Sequence, residues 1–394
     1  MKTAKIILQY FLFTFIVMIV LVGSFMLYFT LIDFQPPPVE VINVKVPLEA
    51  PLESDEFSFI TWNIGYCGLD KKMDFFYDGG KKVRPDDSSF QRNLNGVYKF
   101  LSGNDTVDFI MLQEVDTLAK RSYFTNEINL FSDALSNYVE CFATNYNVKY
   151  VPLPVMKPMG EVISGIVTYS KPHPEISERY SFPVNYTWPM KIFMLDRCFL
   201  MQRYKLKDRR ELIVINTHNS AFENADMLRQ YELWMLRSFI LQEYSIGNYV
   251  VLGGDWNQNP ADYDNMKYYS CYHKKTGTPK IPENYLPEDW HWAYDHKIPT
   301  NRDVYEAYRP GYTPTTTYDF FVTSPNVTVE QIKAIESGFE FSDHQPVYMR
   351  IKLESDPTRF CSEDCRDIIS DLQDSLKVFK AGNPKKGKKN KAKH

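Results

Sequence analysis

The stretch Val250–Asn257, Val-Val-Leu-Gly-Gly-Asp-Trp-Asn, constrains the fold of this chain more than any other. Its β-branched and aliphatic start predicts a buried strand. The two glycines predict a tight backbone turn. Directly after them stand a carboxylate and a carboxamide, Asp255 and Asn257, two residues apart, so on extended backbone they share a side. An acid and an amide delivered together at a strand end suit a site that handles a metal, a water and a phosphate. A plain turn uses the same residue types, since Gly, Asp and Asn are all common there. The choice depends on whether other strand ends supply partners.

Apolar runs that close on a polar group recur along the chain. Phe57–Asn63 alternates like a half-buried strand and ends Thr-Trp-Asn63. Val107–Leu112 leads into Gln113-Glu114, and Glu211–Thr217 leads into His218. Tyr318-Asp319-Phe320 opens a run to Thr323, and Ser342-Asp343-His344 precedes Val347–Leu353. Ser164–Tyr169, Phe199–Leu206 and Val327–Lys333 read as further strands. Helical spacing covers Phe90–Leu101, Asn126–Leu135 and Glu223–Tyr244; the apolar stripe of the last is read as core contacts. Strands punctuated by few helices predict two sheets packed face to face with helices outside. Tyr146–Met159 and Asp262–Arg302 show no clear element and are expected to be ordered loops around a cleft.

Taken in this order, Thr-Trp-Asn63, Leu-Gln-Glu114, Asn-Thr-His218, Gly-Asp255-Trp-Asn257, Tyr-Asp319-Phe and Ser-Asp343-His344 resemble the site motifs of the endonuclease/exonuclease/phosphatase superfamily, the DNase I-like proteins. The resemblance covers about residues 57–353. It implies a four-layer α/β sandwich of two packed, mainly antiparallel sheets flanked by helices. It also implies hydrolysis of a phosphodiester or phosphomonoester by metal-assisted, in-line water attack. The cofactor implied is Mg²⁺, or Mn²⁺ in its place. Glu114 is the expected main ligand, because hard cations take carboxylate oxygens, with Asn63 and Asp343 beside it. The resemblance gives Asp255 the attacking water, Asn257 a phosphate oxygen, and His344 the phosphate or a proton transfer. Asp319 would fix the His344 tautomer and raise its pKa. His218 would be a general acid or a second phosphate contact.

The chain departs from the family pattern in places. Tyr318 stands where an Arg often precedes the Asp-Phe step, and His218 matches the nuclease and sphingomyelinase branches, since abasic endonucleases carry Tyr there. No stretch resembles the basic DNA-binding loops; Lys149 and Asp196-Arg197 are candidate phosphate contacts. The expected substrate is a nucleic acid or a phospholipid headgroup such as sphingomyelin, with no protein partner. For the lipid, the aromatic run Tyr285–Tyr294 is a candidate interfacial surface, with loop packing as the other reading. The alternative to an enzyme is a catalytically inactive, membrane-tethered binding domain of the same fold.

Charge bears on the substrate. The net charge is −4; residues 381–394 carry six Lys and no acid, and residues 1–39 carry +1 from Lys2, Lys5 and Asp33, which leaves the body at −11. An acidic body argues against strong non-specific binding to nucleic acid. Ile6–Ile32 is 27 residues without a charge. About 20 apolar residues span a bilayer as a helix. An uncleaved transmembrane anchor is therefore expected, with a signal peptide cut near Gly23-Ser24 as the alternative. Lys2 and Lys5 before the span, and Asp33 and Glu40 after it, place the N-terminus in the cytoplasm and the rest outside it.

The expected organisation is a cytoplasmic N-terminus (1–5), an anchor (6–32), a Pro-containing linker (33–55), the catalytic domain (56–355) and an extension with a Lys-rich tail (356–394). Gln35-Pro36-Pro37-Pro38 reads as a stiff spacer holding the domain off the membrane. Six cysteines show no zinc-type spacing; Cys361 and Cys365 are close enough to pair if exported. Asn104, Asn185 and Asn326 head glycosylation triplets.

Overall fold

A computed structural model describes residues 2–42, 50–183, 186–221, 226–264, 273–274 and 277–354. In chain order the elements are α1 (Lys2–Leu31), β1 (Val39–Val41), β2 (Glu56–Asn63), α2 (Asp87–Gly103), β3 (Phe109–Ala119), α3 (Glu127–Ala134), β4 (Val139–Val151), β5 (Gly160–Ser170), β6 (Ile176–Ser181), β7 (Cys198–Lys205) and β8 (Glu211–His218). They continue as α4 (Asp226–Ser245), β9 (Tyr249–Asp255), β10 (His273–Lys274), β11 (His291–Ala293), β12 (Asn301–Arg302), β13 (Pro314–Thr316), β14 (Asp319–Thr323), β15 (Val327–Ala334) and β16 (Val347–Leu353).

Two sheets dominate. One runs β1-β6-β7-β8-β9-β14-β11 and the other β15-β16-β2-β3-β5-β4. Each holds a single parallel pair, β8 with β9 and β2 with β3, and is otherwise antiparallel. Phe59, Phe109, Met111, Val214, Val251 and Phe321 fill the space between the sheets. The α4 side chains Leu233, Leu236 and Ile240 cover the outer face of the first sheet. Phe90, Leu94, Val97 and Leu101 of α2, with Phe131 of α3, cover the second. This is the expected four-layer α/β sandwich.

Local chemistry starts the helices where packing needs them. Asp86 caps α2 by accepting the Ser89 N–H at 2.9 Å, and Asn126 caps α3 by accepting the Asn129 N–H at 3.0 Å. Such a cap is worth about 1 kcal/mol. Beyond its cap, α2 buries Phe90, Leu94, Val97 and Leu101 on one face, the spacing of a helix with one wall on a sheet.

Four expectations are corrected. Gly253 and Gly254 make no turn: they stay inside β9, paired on both sides, and the chain bends only after Asp255. The Tyr146–Met159 region begins as strand, since β4 runs to Val151. Its Asn, Lys and Tyr residues hid an inside-outside alternation. The aromatics Tyr285, Trp290 and Tyr294 are buried in the α4-side core and form no lipid-facing surface. The proline segment is no stand-off spacer. Ser181 Oγ donates to the Pro37 carbonyl at 2.8 Å, Ser181 N–H donates to Pro38, and β1 then pairs with β6.

Cys67, Cys141 and Cys198 are free and buried. Asn326 is buried, and its amide donates to the Asn248 carbonyl, so that triplet is no glycan acceptor in the fold. The Cys361–Cys365 pair, Cys271, Asn185, the start of the expected third helix and the Lys-rich tail lie outside the described residues.

Candidate functional site

Sheet register places the first three groups. In one sheet His218, Asp255 and Asp319 are direct neighbours across β8, β9 and β14. In the facing sheet Asn63 ends β2 opposite Gln113 of β3. The Asn63 amide reaches across to the Asp255 carboxylate, donating to Oδ2 at 2.9 Å. The site therefore lies where the ends of the central strands of both sheets meet.

The two glycines of β9 have steric duties. A Cβ on Gly254, at φ +142, would stand 2.0 Å from the Thr217 carbonyl oxygen. On Gly253 it would meet the Phe321 ring at 2.4 Å. Only bare backbone lets β9 lie close enough to β8 and β14 for the three side chains to converge. Glu114 is placed by strain of another kind. Its φ is +54, and the β3–β5 register shifts between Leu112 and Val115. Such a bulge re-aims a side chain that regular pleating would send elsewhere.

The loop carrying Asp343 and His344 is stapled to the end of β2. Ser342 Oγ donates to the Asn63 carbonyl at 2.7 Å, His344 N–H donates to Ser342 Oγ at 3.1 Å, and Trp62 Nε1 donates to the His344 carbonyl at 3.0 Å. His344 Nδ1 lies 2.7 Å from Asp319 Oδ2, and His344 Nε2 lies 3.7 Å from Asp255 Oδ2. His218 Nε2 is 3.5 Å from Asp255 Oδ2 and 3.9 Å from Glu114 Oε1. Asp255 thus sits between two imidazoles and two amides.

Sequence reading missed two contributors. Asn301 Nδ2 lies 2.9 Å from His344 Nε2. Thr300 Oγ1 accepts the N–H groups of Tyr318 and Asp319 at 3.1 and 3.0 Å. Both residues sit at β12, in the segment read as loop, and no local motif marks them. Arg197 donates to the His218 carbonyl at 3.0 Å, so it steadies the site, whereas Lys149 pairs with Glu161 at an exposed position.

The two histidines are driven in opposite directions. Burial, helped by Arg197 and His344, holds His218 well below the usual histidine range, so it is neutral. Burial would lower His344 too, but the carboxylates of Asp319, Asp255 and Asp343 outweigh it and push it well up. His344 is therefore a cation at neutral pH. A protonated ring donates from both nitrogens, so the Asn301 amide must turn its oxygen, in place of Nδ2, toward Nε2 to accept. Burial raises Asp319 to about 6 despite the opposing pull of His344, leaving it ionised beside the cation. Burial raises Asp343 to about 7, with the Glu114 charge adding to the rise.

These groups suit a divalent cation. Asp255, Asp319 and His344 bring ligand-type atoms within 4.8 Å of one another. Of these, Asp319 Oδ2 already pairs with His344 Nδ1 while its buried Oδ1 has no hydrogen-bond partner among the described residues, and the Asp255 oxygens accept from Asn63 and Asn257. Glu114 and Asp343 are two further oxygen donors, and the Glu114 charge helps raise Asp343, a repulsion that a cation would relieve. Asn63 turns its N–H₂ toward Glu114 and Asp255, while its Oδ1 accepts the Gly65 N–H at 2.9 Å.

The family model for the Endonuclease/Exonuclease/phosphatase family matches residues 60–344. The chain belongs to this family. It is a hydrolase acting on phosphoester bonds. Its fold is similar to an endonuclease/exonuclease/phosphatase from Beutenbergia cavernae, at 17% identity and a TM-score of 0.51 over 76% of this chain and 72% of that one. ANGEL2, described as a 2′,3′-cyclic phosphatase, matches at 15% identity and a TM-score of 0.49 over 82% of this chain and 99% of its own. A humanised TDP2 from D. rerio matches at 17% identity and a TM-score of 0.46 over 76% and 100%. No curated protein sequence matches the chain.

Proposed function

We propose that the chain is a membrane-tethered, divalent-metal-dependent phosphoesterase whose site comprises Asn63, Glu114, His218, Asp255, Asn257, Asp319, Asp343 and His344. The observation that carries this reading is the meeting of one buried cationic histidine, one neutral histidine and four carboxylates where the two sheets meet. Glu114 and Asp343 would hold the cation, which when bound supplies Lewis-acid neutralisation of the phosphoryl oxygens.

The chain's own groups divide the remaining work. Asp255 Oδ2 sits between the two imidazoles, where it can orient a water and accept its proton. His344, held cationic by Asp319, donates to a phosphate oxygen or to the leaving group. His218, neutral and without a spare proton, contacts the phosphate through one N–H; its role as general acid is not retained. Asn63 donates to Asp255 and positions that carboxylate. Asn257 donates to the Asn219 carbonyl at 2.9 Å and to Asp255 at 3.3 Å, so a phosphate contact would replace the longer bond.

In the proposed organisation residues 1–5 are cytoplasmic, residues 6–32 cross the membrane and residues 56–355 work outside the cytoplasm. The helix α1 is long and apolar enough to span a bilayer, and the flanking charges set its direction. The test is a release assay with Mg²⁺ or Mn²⁺ on DNA, RNA, sphingomyelin, phosphatidylinositol and sugar phosphates. Cleavage of one class is expected, with Glu114→Ala and His344→Ala near background. Cleavage of none, or variants as active as the parent, overturns the reading.

A further inference from the structure

The end of α1 is packed into the folded domain. The Phe25 ring lies 6.5 Å from both Tyr150 and Phe193, and Phe29 lies 6.2 and 6.1 Å from the same two rings. Trp188 Nε1 donates to Thr30 Oγ1 at 3.1 Å, and Lys191 Nζ pairs with Asp33 at 3.3 Å. The proline segment and β1 then continue along β6. Anchor and domain are thus joined by rings, ion pair and strand, without a free tether.

This contact fixes the depth of the domain. About 20 helical residues cross the hydrocarbon. Counted from Ile6, that length ends near Phe25, so the ring cluster falls at the headgroup level, where Trp and Tyr belong. Beside it the domain exposes a second apolar group. Val155 and Met156 are 78% and 91% exposed, and Leu153, Trp188 and Met190 are exposed as well. The first three follow Tyr150 at the end of β4 within six residues; of the last two, Trp188 makes the bond to Thr30 and Met190 stands two residues on.

We propose that residues 150–157 and 188–193 form a bilayer-docking surface that inserts beside α1 and holds the site's mouth at headgroup level. The mouth is tied to this surface. Tyr77 donates to the Leu153 carbonyl at 2.9 Å, its ring lies 5.5 Å from Phe75, and Phe75 lies 6.4 Å from Tyr66, next to Gly65, whose N–H donates to Asn63 Oδ1. Resting on the phosphoesterase reading, the substrate is then a phosphoester carried by the bilayer.

The docking surface is tested without catalysis. The full chain is reconstituted in phosphatidylcholine vesicles with photoreactive benzoylphenylalanine placed in turn at Met156, at Phe15 in α1, and at Thr328 on β15, the opposite edge of the β4 sheet. Lipid adducts are expected from Met156 and Phe15 and not from Thr328. Protein adducts only, or none, at Met156 overturn the surface. The substrate is tested with Val155→Asp/Met156→Asp in the same vesicles. Hydrolysis of a vesicle-borne phosphodiester is expected to fall by more than about tenfold, since two inserted side chains are lost, with a water-soluble phosphodiester unaffected. Equal effects on both overturn the bilayer substrate, and cleavage of neither by the parent chain overturns only the enzymatic reading.

Discussion

His344 Nδ1 stands 2.7 Å from Asp319 Oδ2 inside the site, and this contact decides the charge of the ring. Burial disfavours the imidazolium, and only the surrounding carboxylates reverse that preference. Asp319 itself is held in place by its strand pairing with Asp255 and by the Thr300 hydroxyl.

Asp319→Asn should therefore lower kcat by about 10²–10⁴-fold, the usual worth of a positioned acid. The pH profile gives the sharper check. In the parent chain His344 keeps its proton to well above the ordinary histidine value, so activity persists until pH rises through that raised pKa. Without the carboxylate the alkaline limb should move to lower pH. An unmoved limb would show that His344 does not act as the acid.

Cation binding should be linked to protons. Asp343 titrates near 7, so below that pH it must lose a proton before it can act as a ligand. Calorimetry in buffers of different ionisation enthalpy should show proton release with Mg²⁺ at pH 6.5, less at pH 8, and none for Asp343→Asn. Glu114→Gln should weaken Mn²⁺ binding, read by electron paramagnetic resonance, independently of turnover.

His218 should leave a mark on stability. Its folded pKa lies well below the ordinary 6.5. Below about pH 6.5 the unfolded chain gains a proton that the fold refuses, so stability falls with falling pH. The slope is about 1.4 kcal/mol per pH unit at most. Denaturation midpoints at pH 7.5 and 5.5 should draw apart less in His218→Gln than in the parent chain. Equal separations would mean the imidazole is not held neutral.

Gly254→Ala should be far costlier than Gly277→Ala. The first puts a methyl 2.0 Å from a carbonyl oxygen at φ +142; the second, at φ +70, meets nothing within 4 Å. Overpacking costs about 1–3 kcal/mol, and a displaced β9 would also move Asp255. Thermal melts of the two variants decide it, and similar melts would mean that β9 can shift freely.

Periodicity and residue type already marked most of this protein. The strands that end in Asn63, His218 and Asp255 are apolar runs closing on a polar group, so element and chemistry were legible locally, whereas Glu114 ends no strand and sits at a bulge inside β3. That α1 is long and apolar enough to span a bilayer was legible for the same reason: an uncharged run is a property of consecutive residues. What tertiary structure decided rests on contacts between distant segments. Asn63 and Asp255 are 192 residues apart in sequence, and Asn301 reaches His344 from a segment without a motif. Whether Gly253 and Gly254 turn the chain or admit its neighbours depends on Thr217 and Phe321, which sequence spacing does not bring near. Opposite charge states for two similar histidines came from different buried surroundings, and the seating of α1 on the domain came from Phe25 and Phe29 finding Tyr150 and Phe193. Residue chemistry is local, whereas register, burial and electrostatic surroundings exist only once the sheets have packed.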